Sequence, residues 1–500
     1  MPGPFLTIDL PDETATAELG EDLAAILAVG DVVALSGDLG AGKTALARAT
    51  LRAALDDDGL EVPSPTFTIV QTYEGARFPL AHFDLYRLAD ASELDEIGFD
   101  EARTDGAVLI EWPERAGDRL PPESLTIDLA LAGHGRRASF TGDAAWQARL
   151  TRSRAVRALL DKAGWTRAAR RFVQGDASTR RFERIRAAGE TAILMDWPKP
   201  LVPPVRDSRA AYRAQDVTAV LATTAALADA GLSVPEVLAS DIASGLLLIE
   251  DFGREGVLAA DGSPDPARYD VAVDMLAAIH GTPRPDTLPV PGGGTHRLLA
   301  LDETVVMADL ALFTDWYVPH VTGAPASDEA VVAFREIWRR LLAPLATAGT
   351  SWVLFDVQSP NLFWLAARDG IRRIGLIDFQ DMFVGPPAYD VVSLCQDHRV
   401  TVPVALETAL RDRYVATRHA AGAPFDVESF AGAYAILGAA RALKNMGVFA
   451  RLAEHVGKPH YLQHLPRLAD YLARNLSHAV LSELSLWYER HLPSESQAAR

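Results

Sequence analysis

Cysteine is nearly absent. Cys395 is the single one in 500 residues, which excludes an intramolecular disulfide framework and any zinc site built on cysteines; a cytoplasmic location is expected. Long apolar runs are missing too: no stretch reaches the roughly 18 residues that a membrane span needs. The start, Met1-Pro-Gly-Pro-Phe-Leu-Thr-Ile-Asp, has neither the basic nor the apolar segment of a signal peptide, so a chain with no membrane contact is expected. Positive charge is scarce, with 48 Lys/Arg against 67 Asp/Glu and a net charge of −19. The deficit is local: residues 1–150 hold 27 acidic against 11 basic side chains, and the rest 40 against 37. An acidic surface repels nucleic-acid phosphates, so direct nucleic-acid binding is not expected, and any task on RNA would run through a protein partner. No repeat of fixed period exists, which sets solenoids and propellers aside. What is present is an ordinary globular composition, 49% hydrophobic and 23% charged, in a chain long enough for about three domains.

The pattern is punctuated α/β. Gly30–Ser36 reads as a β-branched strand that runs into a glycine-rich turn, and Thr44–Leu55 is strongly helix-forming. Further strands are expected at 66–72, 81–85, 107–111 and 125–131. Together they predict a doubly wound sheet whose ligand lies beyond the carboxyl ends of the strands. This unit closes near 133–152, and a helix beginning at Ser153 opens the next. Strands at 182–186, 192–196 and 246–250 flank a helical stretch at 209–230, which suits a small mixed lobe. Beyond Gly253 helices dominate, interrupted by β-reading segments at 351–355, 361–365 and 373–378.

Gly37-Asp38-Leu39-Gly40-Ala41-Gly42-Lys43-Thr44 matches the P-loop pattern in full. Its glycines let successive N–H groups face phosphate oxygens, the helix that follows adds partial positive charge, Lys43 reaches the terminal phosphates and Thr44 offers a hydroxyl to Mg²⁺. ATP hydrolysis also needs carboxylates for metal and water. Asp84 and Glu111 both end expected strands, where a doubly wound sheet presents groups to phosphate. Asp84 and Glu111 are the two candidates for these roles. Ser64-Pro-Thr-Phe-Thr68 supplies hydroxyls on a stiff loop, with Thr66 suited to sense the γ-phosphate.

Taken in order, the P-loop, Ser64-Pro-Thr-Phe-Thr, His82-Phe-Asp-Leu-Tyr-Arg-Leu and Glu111-Trp-Pro-Glu make residues 5–150 resemble the TsaE family, the bacterial ATPases of tRNA threonylcarbamoyladenosine biosynthesis. The resemblance implies an ATPase that binds the subunits of the threonylcarbamoyl-transferase complex and supports its turnover. It also implies that Lys43, Thr44 and Asp84 serve ATP and Mg²⁺, and makes Glu111 the candidate that orients water.

Asp356-Val-Gln-Ser-Pro-Asn361 has the spacing of kinase catalytic loops, in which the Asp accepts the proton of the substrate hydroxyl and the Asn holds Mg²⁺. Alone the spacing says little, because composition produces about one such pair in a chain of this size. Its surroundings carry the reading: Arg373-Ile-Gly-Leu-Ile-Asp378 brings a second metal-binding carboxylate to a strand end, and a hairpin would return Asp378 beside Asn361. Upstream, Gly175-Asp-Ala-Ser178 suits a phosphate-covering turn with Ser178 on the nucleotide, although ordinary turn residues would look the same. Leu246–Glu250 reads as a strand whose end at Glu250 enters a hinge against adenine. The strand expected to carry a phosphate-pairing lysine has Met195 instead, and Lys199 is a poor substitute.

These runs, with Leu312-Phe-Thr-Asp-Trp-Tyr317, Gly385-Pro-Pro-Ala-Tyr-Asp390, Arg441-Ala-Leu-Lys444, Gly457-Lys-Pro and His464-Leu-Pro-Arg467, make residues 154–494 resemble aminoglycoside-phosphotransferase-like kinases. Within them the similarity is to the anomeric kinases for N-acetylmuramate and N-acetylglucosamine used in cell-wall recycling. The resemblance implies an amino-sugar substrate, and such kinases also tend to lack the strand lysine. Where the family commonly has Arg-Asp-Tyr-His before Ser-Pro-Asn, this chain has Phe355-Asp356-Val357-Gln358. Positive charge beside the base is expected to be lost, and substrate identity is left open. Asp390 is expected to be a structural support. Arg441, Lys444 and Arg467 are candidates for sugar or phosphate contacts, with the solvated face of an amphipathic helix as the stronger expectation.

The expected architecture is therefore α/β: a P-loop doubly wound domain over 1–152, then a two-lobed protein-kinase-like domain with its N-lobe over 153–253 and its helical C-lobe over 254–500. Two alternatives stay open for the second half: a degenerate kinase fold kept as a scaffold, or a kinase for another hydroxyl compound such as an aminoglycoside or choline.

Overall fold

Two short runs, Val32–Ser36 and Ala107–Glu111, are apolar almost without a break and are buried on both faces, the mark of parallel strands covered by helices on either side. The computed structural model describes residues 3–75, 77–173, 180–199, 209–347, 349–422 and 425–492. The chain divides into two compact units: Met1–Pro198 with Val237–Asp251, and Lys199–Glu236 with Phe252–Arg500. Among the described residues no helix is long and apolar enough to cross a membrane.

The first unit opens with strands β1 (Leu6–Leu10), β2 (Val32–Ser36), β3 (Val70–Tyr73), β4 (Leu80–Asp84), β5 (Ala107–Glu111), β6 (Leu125–Ala132) and β7 (Gly135–Thr141). They form one sheet in the order β1-β7-β6-β2-β5-β4-β3. The neighbours of β2, and the pair β4 and β5, run parallel; the edges are antiparallel. Helices α1 (Glu13–Ile26) and α2 (Lys43–Leu55) cover one face through Leu19, Leu23, Leu46 and Leu51. Phe83, Leu85, Phe99 and Ile110 pack on the other. In register, Leu35 faces Glu111 and Glu111 faces Asp84. The phosphate-loop strand and both candidate acids thus end side by side.

Two elements differ from the sequence reading. The strand expected at 66–72 starts only at Val70, because Ile69 donates to the Pro65 carbonyl (2.6 Å) and takes φ +66°, which closes a turn. The helix expected from Ser153 starts at Ala144, capped by the Asp143 carboxylate on the Trp146 N–H (2.9 Å), and runs unbroken to Lys162. Position 152 therefore lies inside a helix.

That helix leads into a second, antiparallel sheet of the same unit: β8 (Ala169–Val173), β9 (Arg181–Ala187), β10 (Glu190–Asp196), β11 (Val237–Asp241) and β12 (Leu246–Glu250), in the order β11-β12-β10-β9-β8. It is joined to α1 and α2 by ion pairs. Arg157 reaches Glu21 (3.0 Å) and Asp22 (2.8 Å). Buried Arg170 bridges Asp22 (2.7 Å) and Glu183 (2.6 Å). Arg171 holds Glu21, Asp56 and Asp58 at 3.0, 3.0 and 2.6 Å, and Arg186 takes Asp56 at 2.8 Å. Part of the acidic excess of the first 150 residues is thus neutralised by arginines that follow it.

The second unit is mainly helical. Its longest helix, Val427–His455, is capped by Asp426 and is buried on nearly every side through its middle. A small hairpin, Leu362–Trp364 with Ile374–Leu376, pairs Leu362 with Leu376.

Candidate functional site

In the first unit the loop from Gly37 to Thr44 turns out of β2 into α2. Gly37 has φ +132° and Gly42 φ +106°, and a Cβ on Gly37 would meet the Leu129 carbonyl oxygen at 2.3 Å, so glycine is required there. The Lys43 ammonium lies on the loop carbonyls of Gly37 (2.6 Å) and Asp38 (2.9 Å), 3.7 Å from the Trp112 ring centre. Burial holds its pKa below the ordinary lysine value, against the pull of Glu111, Glu114, Asp84 and Asp38. Trp112 follows β5 in the left-handed region, φ +61°, and this turn carries its ring over the lysine. The sequence reading quoted Trp112 within a motif but gave it no role.

The two acids have different partners. One Glu111 oxygen accepts from the Thr44 hydroxyl (2.9 Å), and the other lies 2.9 Å from His82 Nε2. Asp84 accepts from the Thr66 hydroxyl (2.8 Å), from the Ser64 hydroxyl and from the Tyr86 N–H (3.0 Å). His82 was another unassigned member of a motif. It is fully buried, its remaining nitrogen, Nδ1, has no partner, and its contact is to the candidate water-orienting carboxylate. Leu39 and Phe67 stand out at 83% and 85% exposure.

In the second unit the catalytic-loop residues converge as the spacing anticipated. The Asn361 side-chain amide donates to the Asp356 carbonyl (2.9 Å), and the Ile377 N–H donates to the Asn361 carbonyl (3.1 Å). Asp378 therefore follows directly on the residue paired with Asn361. Asp378 has φ +62° and Phe355 φ +76°, two non-glycine residues in the left-handed region on either side of the candidate base and metal ligands. Such strain persists only where surroundings fix it. Fully buried Asp390 accepts from the N–H groups of Leu354 (2.7 Å) and Phe355 (2.9 Å) and touches His280 (3.3 Å). Asp397 accepts from Ser359 N–H (2.7 Å).

The expected loss of positive charge beside the base does not occur. Arg213 and Lys444 each come within 4.3 Å of the Phe355 ring centre, and both face Asp309, at 3.5 and 3.7 Å. Burial works to lower the Arg213 pKa, but Asp309, Asp381 and Asp356 outweigh it and hold it above the usual arginine value. Burial raises the Asp381 pKa, and its carboxylate accepts from Ala214 N–H (2.7 Å). The solvated-face expectation also fails for Arg441 and Lys444, which are buried within the Val427–His455 helix; Arg467 is half-buried. Met195 is buried in β10, and Lys199 is exposed and pairs with Asp216 (3.6 Å). Glu250 ends β12, opposite Ala192. Ser178 and the turn around it lie outside the described residues.

Mg²⁺ ordinarily takes one or two protein oxygens and shares substrate phosphates and water. Both centres offer hard oxygens of that kind: the Thr44 hydroxyl and the Asp84 carboxylate in the first, and Asn361 and Asp378 in the second. Among the described residues no group of three or more His, Cys, Asp or Glu side chains forms a metal cage.

A phosphate loop beside two strand-end acids, and a kinase-type catalytic loop closed by a hairpin, define a chain with two phosphate-handling centres. Residues 10–138 match the model of the threonylcarbamoyl adenosine biosynthesis protein TsaE family, and residues 169–432 that of the phosphotransferase enzyme family. The chain belongs to both. An N-acetylmuramate/N-acetylglucosamine kinase of Caulobacter vibrioides is 34% identical over 362 residues, 69% of this chain and 98% of that protein. A second kinase of that name, from Pseudomonas aeruginosa, is 32% identical over 62% of this chain and 85% of the relative. The TsaE protein of Rickettsia felis is 38% identical over 128 residues, 26% of this chain and 74% of its own length. The chain is an enzyme that joins a TsaE-like domain to an N-acetylmuramate/N-acetylglucosamine kinase-like domain. Kinases and ATPases of these families generally use ATP and Mg²⁺.

Proposed function

We propose that the kinase-like part of the chain, matched over residues 169–432, transfers the γ-phosphoryl group of ATP to the anomeric hydroxyl of N-acetylmuramate or N-acetylglucosamine. In this reading Asp356 accepts the hydroxyl proton as the sugar oxygen bonds to phosphorus and the bond to ADP breaks. Arg213 and Lys444 balance charge around the loop, and Asp390 holds the backbone that carries the base. Asn361 and Asp378 would hold Mg²⁺, which when bound neutralises charge on the phosphates. The observation that carries this reading is the hairpin register that joins Ile377 to Asn361 (3.1 Å), because it brings the two metal-binding residue types to adjacent strand ends beside the base. The test is Asp356→Asn, with phosphosugar formation from N-acetylglucosamine measured in the full chain. A fall of about 10²- to 10⁴-fold is expected, the usual scale for a general base, and an unaltered rate would remove Asp356 from the mechanism.

For the first unit the reading is ATP hydrolysis in support of tRNA threonylcarbamoyladenosine synthesis, performed with protein subunits of the transferase. Lys43 and the loop amides bind phosphate, Thr44 and Asp84 are the metal-side residues, and Glu111 orients water. Exposed Leu39 in the phosphate loop and exposed Phe67, next to Thr66 whose hydroxyl donates to Asp84, favour a protein partner there.

A further inference from the structure

Three sequence runs far apart in the chain meet around His398. The Val427–His455 helix contributes Arg441 and Lys444, the turn after the helix Ala388–Cys395 contributes His398 and Arg399, and the His464–Arg467 segment contributes its two end residues. The contacts are those of a basic cluster. Arg399 Nε donates to His398 Nε2 (2.9 Å), and Arg467 donates to the His398 carbonyl (2.6 Å) and to the Thr401 hydroxyl (2.8 Å). Arg441, 3% exposed, donates to the Gln396 carbonyl (3.2 Å), while its Nε has no partner among the described residues. A buried guanidinium with an unused donor is costly unless an anion completes it.

Among the described residues no carboxylate pairs with Arg441. Asp397 accepts from the backbone of Ser359 and Arg399, both at 2.7 Å, and Asp309 faces Lys444 and Arg213. His398 stays neutral, because burial first, and then Arg441, Arg399, Lys444 and His464, hold its pKa far below the ordinary histidine value. An imidazole that accepts from Arg399 adds no negative charge. The cluster reaches the catalytic loop: Lys444, one helical turn from Arg441, sits over the ring of Phe355 next to Asp356.

We propose that Arg441, with Arg467 and the His398 imidazole beside it, forms a subsite for a carboxylate of the sugar substrate. The inference rests on the sugar-kinase reading and sharpens it. N-acetylmuramate differs from N-acetylglucosamine by an ether-linked lactyl group that ends in a carboxylate, so a molecule with its anomeric hydroxyl at Asp356 can extend that carboxylate to Arg441, and N-acetylglucosamine has nothing to offer there. The subsite thus sets preference between two sugars that share the same reacting hydroxyl.

The test measures kcat/KM of the full chain for both sugars and for the methyl ester of N-acetylmuramate, in wild type, Arg441→Met and Arg467→Gln. Loss of a charge-assisted contact predicts a fall of about 10- to 100-fold in the preference for N-acetylmuramate over N-acetylglucosamine in Arg441→Met, and a smaller fall in the same direction in half-buried Arg467→Gln, which serves if the first variant does not fold. Esterification should cost wild type a similar factor and Arg441→Met little. A preference within twofold of wild type in both variants, or an equal cost of esterification in all three proteins, overturns the subsite while leaving the sugar kinase intact. A wild-type chain that phosphorylates neither sugar overturns the sugar-kinase reading, and the subsite with it.

Discussion

His82 illustrates how much a single buried side chain governs. Among the described residues Glu111 is held by the Thr44 hydroxyl and the His82 ring, each at 2.9 Å, and a carboxylate buried to that degree points where its partners aim it. His82→Leu removes one partner, so hydrolysis should fall about 10- to 100-fold, the usual cost of losing an outer-shell orienting residue. KM for ATP should move much less, and His82→Gln should recover part of the rate. Steady-state ATPase assays separate the two parameters, and a kcat equal to wild type would show that His82 only fills the core. The same scale explains the altered loop of the kinase half. Phe355 stands where the kinase resemblance leads one to expect a basic residue, yet two cations reach its ring. Neither Arg213 nor Lys444 is near Phe355 in sequence, so local reading registered a loss of charge that folding restores.

Elements with a strong local signal were legible before the structure. The strand Ala107–Glu111 falls on the expected residues, because a β-branched apolar run bounded by Gly106 and Pro113 has few alternatives. The hairpin that brings Asp378 back towards Asn361 follows from two short apolar runs separated by turn residues. The edge strand β1 and its neighbour β7 were missed, since their exposed positions break the apolar pattern, and the start of the Ala144–Lys162 helix was missed because its signal is one cap, Asp143. The burial of Arg441 and Lys444 was not legible either: charged residues in a helix normally face solvent, and only the packing of other helices against this one reverses that. The catalytic loop shows what an element owes to a distant anchor. Asp390→Ala leaves the N–H groups of Leu354 and Phe355 buried without acceptors, a cost of about 2–5 kcal/mol. Calorimetry should record a lower unfolding temperature and kinase assays a reduced kcat. Unchanged values of both would mean that the loop holds its shape without Asp390.

At the scale of the whole molecule, the acidic first third and the more balanced remainder are complementary. Within the first unit, Arg157, Arg170, Arg171 and Arg186 of the second sheet and its leading helix answer Glu21, Asp22, Asp56 and Asp58. Asp56 caps the carboxyl end of α2, the helix whose other end begins at Lys43, so the phosphate-loop helix is tied at its far end to the antiparallel sheet. Arg170→Met would strand the Glu183 carboxylate in a buried site and leave Asp22 with Arg157. A loss of about 3–5 kcal/mol is expected, read as a lower midpoint of the first thermal transition, with partial recovery in Arg170→Met/Glu183→Gln. An unshifted midpoint would mean that this network contributes little to the unit.

The central claim is that one chain holds two separate centres that consume ATP. The most direct measurement incubates the full chain with γ-labelled ATP, N-acetylglucosamine and N-acetylmuramate, alongside Lys43→Ala and Asp356→Asn, each with and without the threonylcarbamoyl-transferase subunits, and follows both labelled sugar and released phosphate. The account predicts that Asp356→Asn loses sugar labelling while keeping phosphate release that depends on the transferase subunits, and that Lys43→Ala does the reverse. Loss of both products in either variant, or labelled sugar formed equally well without Asp356, would contradict it.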